Sequence, residues 1–223
     1  MGYQFQFNVL WQNWPLFLEG IKLTIEITAL ATVLGLVIGL IMAGLQMMKN
    51  RVISSAIQVY IEVIRNPPLL VQLFFVYFGL PTLGIKVPAW TAALVALTIN
   101  IGAYATEIVR AGIEAISKGQ IEAGRSLGLS GLQIFIHVIL KPALMTVYPA
   151  LTSQFILIML NSSVISVISA QELSYQANFI QSRTFRSFEI YFFVAFLYLL
   201  LAYLFRGAFG LVYKLAFGKA RMN

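Results

Sequence analysis

The 223-residue chain has no cysteine and no aspartate, a single histidine (His137), and charged side chains at only 10% of positions. Without cysteine there is no disulfide framework and no thiolate metal site, and nothing points to a redox compartment. One histidine is too few to hold a metal. The segment Gly124-Arg125-Ser126-Leu127-Gly128 fits the pattern G-x-S-x-G. A nucleophile elbow, however, needs a strand before it and a helix after it. Here the surroundings are helical and polar, His137 is the only candidate base, and no aspartate exists to orient it. No G-x-x-x-x-G-K-[ST] phosphate loop and no H-E-x-x-H pair occurs. The sequence therefore reads as a protein without a catalytic residue or a metal site of its own. Residues 1–15 hold no Lys or Arg and no short apolar core ending in small residues, so a removable signal peptide is not expected.

The chain is instead rich in apolar residues, at 60%. Soluble domains carry about 25% charged residues, and runs of roughly 20 apolar residues cross a hydrocarbon layer about 30 Å thick. Five such runs are expected as helices, because unpaired backbone cannot lie against lipid. They cover Phe17 to Gln46, Ser55 to Gly79, Pro88 to Ile113, Pro142 to Ile168 and Phe188 to Val212. The fold class is thus all-α, a polytopic membrane protein with five transmembrane helices. Residues 1–223 form a single transmembrane domain with no room for a separate soluble one.

The net charge of +7 sits in short clusters at the ends of apolar runs, which suits topology better than nucleic acid. Lys49, Arg51, Lys118, Arg125, Lys141, Lys214, Lys219 and Arg221 fall on one side of a five-span chain, and Lys86, Arg183 and Arg186 on the other. The excess of Lys and Arg places the first set in the cytoplasm, with the N-terminus outside and the C-terminus inside.

One segment breaks the apolar pattern: Lys118-Gly119-Gln120-Ile121-Glu122-Ala123-Gly124-Arg125-Ser126-Leu127-Gly128, within a connection of about 114–141. It reads as a docking site for something outside the membrane, or as an amphipathic surface turn. The spans carry further polar groups. Glu62 and Arg65, and Glu107 and Arg110, lie three apart and can pair on a helix face, as structural ion pairs or as a gate. Asn66-Pro67-Pro68 predicts a break or kink in the second span. Asn100 and Tyr104 share a face with Glu107, and Gln154 shares one with Asn161, with Ser162 close behind. Such residues line a cavity or substrate path, or bond between helices. Ala31, Gly35, Gly39 and Ala43 form a ladder of small residues that lets another helix approach, within the chain or in a second subunit.

Glu122-Ala123-Gly124, three residues, Gly128 and an apolar stretch ending at Lys141-Pro142 resemble the E-A-A loop of membrane subunits of bacterial ATP-binding-cassette importers. Arg65-Asn66-Pro67-Pro68-Leu69-Leu70-Val71-Gln72, Glu107 to Ile113, and Ser163 to Ile168 are similar to the polar amino-acid permease branch. Gly124 stands for the second alanine, Pro142 lies one position late, and Leu160-Asn161-Ser162-Ser163 lacks the charges of a commoner K-D-T-S. Glycine lowers helix propensity by about 1 kcal/mol, so a looser loop helix is expected.

The resemblance implies the type I importer permease (MetI-like) fold in a bacterial inner membrane. It also implies a second permease, identical or sibling, two separate ATPase subunits that use ATP and Mg, and an extracytoplasmic solute-binding protein. No cofactor is expected on this chain. Glu122, Ala123, Gly124, Arg125 and Gly128 would couple to the ATPase. With no acidic residue in the fourth span, neutral polar or acidic amino acids are expected over cationic ones. The alternative is a membrane scaffold or passive channel-like oligomer.

Overall fold

The computed structural model describes residues 3–47 and 50–218. Lys49, Lys219 and Arg221, used in the charge count, lie outside them. Among the described residues there are nine helices and no strand. They are α1 (Asn8–Gln12), α2 (Trp14–Gln46), α3 (Arg51–Arg65), α4 (Leu69–Thr82), α5 (Ala89–Glu114), α6 (Lys118–Ser126), α7 (Gly131–Ile168), α8 (Leu173–Thr184) and α9 (Ser187–Phe217). Four of them, α2, α5, α7 and α9, are long and apolar enough to cross a membrane. The pair α3 and α4, bent by 104°, is long and apolar enough for a fifth when counted as one span.

The centre of the fold is α5, whose small residues let three other helices come close. Ala92, Ala93, Ala96, Ala103 and Ala105 are buried. A Cβ on Gly35 of α2 would lie 2.5 Å from Ile101, and one on Gly39 2.5 Å from Ala105. These contacts advance together along both chains, so α2 and α5 run parallel. The small-residue ladder of α2 is thus used within the chain. Gly102 is pressed by two helices, a Cβ there meeting the Tyr60 hydroxyl of α3 at 2.8 Å and Ile38 of α2 at 2.9 Å, and a Cβ at Gly112 would meet Val147 of α7 at 2.5 Å. Dispersion and close packing, not a hydrophobic drive, hold helices together in lipid.

The break in the second span is where the proline pair predicts it, and its consequence is larger than a kink. Asn50 caps α3, its side chain accepting from Val52 N–H at 3.0 Å. Only Ile57 and Ile61 of α3 are buried. Neither Pro67 nor Pro68 can donate to the turn before it, and the chain leaves α3 at nearly a right angle. Ser55 to Gly79 is therefore two elements rather than one continuous helix.

The fourth span begins earlier than its apolar run suggests. Ser130 and Gln133 form a reciprocal capping box at the start of α7, and the helix widens to π geometry over Ile134–Leu140. It continues as an α-helix over Lys141–Asn161 and tightens to 3-10 geometry over Ser162–Ile168. The segment 114–141 thus holds α6, a short link and the first turns of α7. Pro142 lies inside α7, directly after the π-helical turns, where the backbone ladder is already altered and a missing amide hydrogen is more readily accommodated.

The link between the fourth and fifth spans contains a helix the apolar pattern does not predict. In α8, Leu173 N–H donates to Thr24 Oγ1 of α2 at 3.2 Å, and a Cβ on Gly20 would sit 2.8 Å from Leu173 Cα. Fully buried Glu172 caps α8, accepting from Tyr175 N–H at 2.8 Å and from the Tyr198 hydroxyl of α9 at 2.6 Å. Burial pushes the Glu172 carboxyl up to about 7 from its ordinary 4.5, against the hydrogen bonds that lower it. A folded-state value above the unfolded one stabilises the fold fully below pH 4.5, and that contribution is lost as pH rises through 7. We expect the thermal unfolding midpoint of the purified chain to fall between pH 5 and 8, by the equivalent of at most about 3 kcal/mol. Glu172→Gln should flatten the profile. An equally steep profile in that variant would place the titration elsewhere.

Candidate functional site: an outward helix and a polar cleft

The helix α6 is held to its own chain on one side only. Gly124 is buried, and a Cβ there would meet Ile134 Cγ1 at 3.2 Å and Val138 Cγ2 at 3.5 Å in the π-helical turn of α7. Its glycine thus has a packing role that helix propensity does not describe. Ile121 and Leu129 pack beside it on the core. Glu122, Ala123, Arg125, Ser126 and Leu127 face outward, with Leu127 79% exposed.

The C-terminus of α6 is fixed by a Schellman arrangement. Gly128 N–H donates to the Arg125 carbonyl at 2.9 Å, and Leu129 N–H to the Gly124 carbonyl at 3.2 Å. Gly128 has φ of +75°, a left-handed turn that glycine adopts without steric cost. Ser126 Oγ donates to the Glu122 carbonyl of its own helix at 3.0 Å. It sits on a helix, not on a strand-to-helix elbow, which removes the hydrolase reading of this motif.

The two predicted ion pairs do not form alike. Glu107 pairs with Arg110 along α5, and Arg110 reaches on to Glu114 at 2.6 Å. Glu62 and Arg65 do not pair. Glu62 accepts from Gln58 Nε2 at 3.1 Å, while Arg65 crosses to α5, 3.7 Å from the second oxygen of Glu107 and 4.9 Å above the Tyr104 ring. Arg65 is the last residue of α3, which packs on α5 through the Tyr60 hydroxyl bonded to the Ile99 carbonyl at 2.6 Å.

Two clefts meet at Arg65, Asn66 and Tyr104. One, of about 370 Å³, is bordered by Gln58, Glu62 and Glu107. The other, of about 420 Å³, is bordered by Asn66, Asn100, Gln154 and Asn161. The polar residues predicted on α5 and α7 thus converge, with the exception of Ser162. That side chain is fully buried and donates to the Met159 carbonyl at 2.6 Å, its position set by the tightening of α7. Residues on both sides of the proline break also border the cleft. Gln72, four residues beyond Pro68, stands beside it and bonds to Asn100. Its spacing from the proline pair was the available signal, since a side-chain amide can replace a donor that proline lacks.

Residues 35–215 match the family described as binding-protein-dependent transport system inner membrane component. The chain belongs to this family. It is 37% identical over 194 residues to the probable glutamine ABC transporter permease protein GlnM of Bacillus subtilis, covering 87% of this chain and 90% of that one. It is 38% identical over 200 residues to the glutamine transport system permease protein GlnP of Escherichia coli K12, covering 89% and 91%. Among solved structures, an amino acid ABC transporter described with histidines superposes with a TM-score of 0.86 at 40% identity, covering 94% of this chain and 98% of that one. An inward-facing MetNI methionine ABC transporter gives 0.74 at 22% identity, a likeness of fold. The permease (MetI-like) fold expected from the sequence is therefore the fold of this chain.

Proposed function

We propose that the chain is the path-forming subunit of an ATP-driven importer for amino acids, with neutral polar or acidic ones favoured. The observation that carries this reading is α6: one face seated on α7 by Gly124, the other carrying Glu122, Ala123 and Arg125 with nothing of their own chain over them. A short rigid helix so exposed suits the groove of a separate ATPase subunit, which uses ATP and Mg. Closure of two such ATPases would rock the spans of this chain and of a second permease, identical or sibling, with a solute-binding protein above. The names of the relatives support an amino-acid cargo.

The cleft supports the preference among amino acids. Its charged border is the Arg65 guanidinium, and α7 contributes the neutral Gln154 and Asn161. A cationic side chain would find no carboxylate on α7 and a like charge at Arg65. The orientation that suits the basic residues puts α6 in the cytoplasm of a bacterium, the N-terminus outside and the C-terminus inside.

The test is uptake by the complete complex in proteoliposomes. ATP-dependent uptake of glutamine or glutamate should exceed that of arginine by roughly tenfold or more. Deleting residues 122–128 should release the ATPase and stop uptake while the chain still inserts. Flux that needs no ATP would favour a passive channel, retained ATPase and uptake in the deletion would sink the docking role, and fastest uptake of arginine would sink the substrate preference.

A further inference from the structure

Pro68 carries no amide hydrogen, so the Ile64 carbonyl at the end of α3 has lost its helical donor. Gln72 supplies one: its Nε2 donates to the Ile64 carbonyl at 2.7 Å and to the Pro67 carbonyl at 2.9 Å. Both partners are pure acceptors, so only the amide nitrogen of Gln72 can face them. Its Oε1 must then point away, and it lies 3.2 Å from the side-chain amide of Asn100 on α5. An oxygen that only accepts requires Asn100 to offer Nδ2. The orientation of the second amide thus follows from the proline break, two hydrogen bonds away. Asn100 borders the cleft and is 6% exposed, and the atom left to the cleft is Oδ1.

We propose that Gln72 is a positioning residue that locks the Asn100 amide with its oxygen toward the cleft, so that the cleft selects ligands bearing a charged N–H donor, the α-ammonium of an amino acid, over those with a neutral amide alone. Arg65 borders the same cleft. It is held loosely, 3.7 Å from one oxygen of Glu107, whose other oxygen is taken by Arg110. A guanidinium fits a carboxylate. A fixed acceptor and a guanidinium with no close hydrogen bond on one cleft match the two ends of a zwitterion. The inference rests on the amino-acid reading above and deepens it by naming what sets the polarity of the path.

The test uses the assembled permease and ATPase complex in lipid nanodiscs without the binding protein, so that the binding protein's own selectivity does not enter. The probes are L-glutamine and glutaramate, the same molecule without its α-ammonium, followed by equilibrium dialysis. The intact complex should bind glutamine roughly tenfold or more tighter than glutaramate. Gln72→Leu, which frees the Asn100 amide to turn, should bring the ratio to within about twofold, with the affinity for glutaramate little changed. Gln72→Lys keeps donors on the two carbonyls but offers Asn100 no acceptor, and it should lose the discrimination as well.

A ratio unchanged in either variant overturns the proposal. So does failure of both to assemble, which would make Gln72 a staple of the break and nothing more. An intact complex that binds neither probe, or both equally, overturns it too. ATP-driven uptake with the binding protein present is an independent measurement, and its presence in that last case would leave the importer reading standing.

Discussion

Replacing Gly39 by valine is expected to leave little or no monodisperse protein after extraction in mild detergent. A Cβ at this position would lie 2.5 Å from Ala105 Cβ, and 2.9 Å from the Ala105 carbonyl carbon and the Thr106 nitrogen. The last two atoms are backbone and cannot rotate aside. The helices α2 and α5 would have to separate, and one turn away Gly35 is pressed as closely on Ile101, so the strain cannot be relieved by a small slide. Overpacking a well-filled site costs about 1–3 kcal/mol when side chains can adjust. Here the packing of α2 on the most buried helix is lost as well. Gly44→Ala is the control, since its Cβ would make ordinary contact with the end of the Phe135 ring at 3.6 Å. Its size-exclusion profile and unfolding midpoint should match the unaltered chain. A well-behaved Gly39→Val protein would mean that α2 and α5 are not packed face to face.

That packing was half legible in the sequence. Ala31, Gly35, Gly39 and Ala43 at steps of four announce a close helix contact, but a ladder of small residues says nothing about which helix meets it. The answer lies on α5, where small residues occur on several faces and no single stripe stands out. The long apolar runs were legible because lipid imposes one demand along their whole length. Their ends were less so. Helix α7 starts at Gly131 through a capping box rather than a hydropathy change, and α8 is a mostly polar helix held by Thr24, Gly20 and Tyr198 from distant parts of the chain.

The candidate site divides along the same line. Asn100 with Tyr104, and Gln154 with Asn161, could each be paired from helical spacing alone, because residues on one face of a rigid helix stay together. Arg65 could not be placed that way. Spacing offered it Glu62, three residues back, whereas the packing of α3 against α5 gives it Glu107 and the Tyr104 ring. The packing role of Gly124 was not legible for a related reason: propensity describes an isolated helix, and the contact with Ile134 and Val138 exists only once the π-helical turn of α7 has formed beneath α6.

With α6 as the proposed docking element for a separate ATPase, Gly128→Val should uncouple the two while leaving the membrane domain folded. Nothing lies within 4 Å of a Cβ built at Gly128, so the substitution meets no steric obstacle. Its effect comes from φ of +75°, a region that costs an L-residue about 1–2 kcal/mol and a β-branched one more. The chain would escape that cost by opening the last turn of α6, losing the bonds from Gly128 to Arg125 and from Leu129 to Gly124. Arg125, Ser126 and Leu127 would then leave their outward positions, although Gly124 keeps its seat on α7. A cost of this size corresponds to roughly a 5- to 30-fold loss of ATPase retained in co-purification, with ATP-driven uptake falling in step. Asparagine tolerates the left-handed region, so Gly128→Asn should retain most of both. Gly84 supplies the decisive control. It too has positive φ, +83°, and open space around it, but it lies between α4 and α5, away from α6. Gly84→Val carries the same backbone penalty and should keep the ATPase bound. Equal loss in the two valine variants would trace the effect to general strain and count against α6 as the docking element.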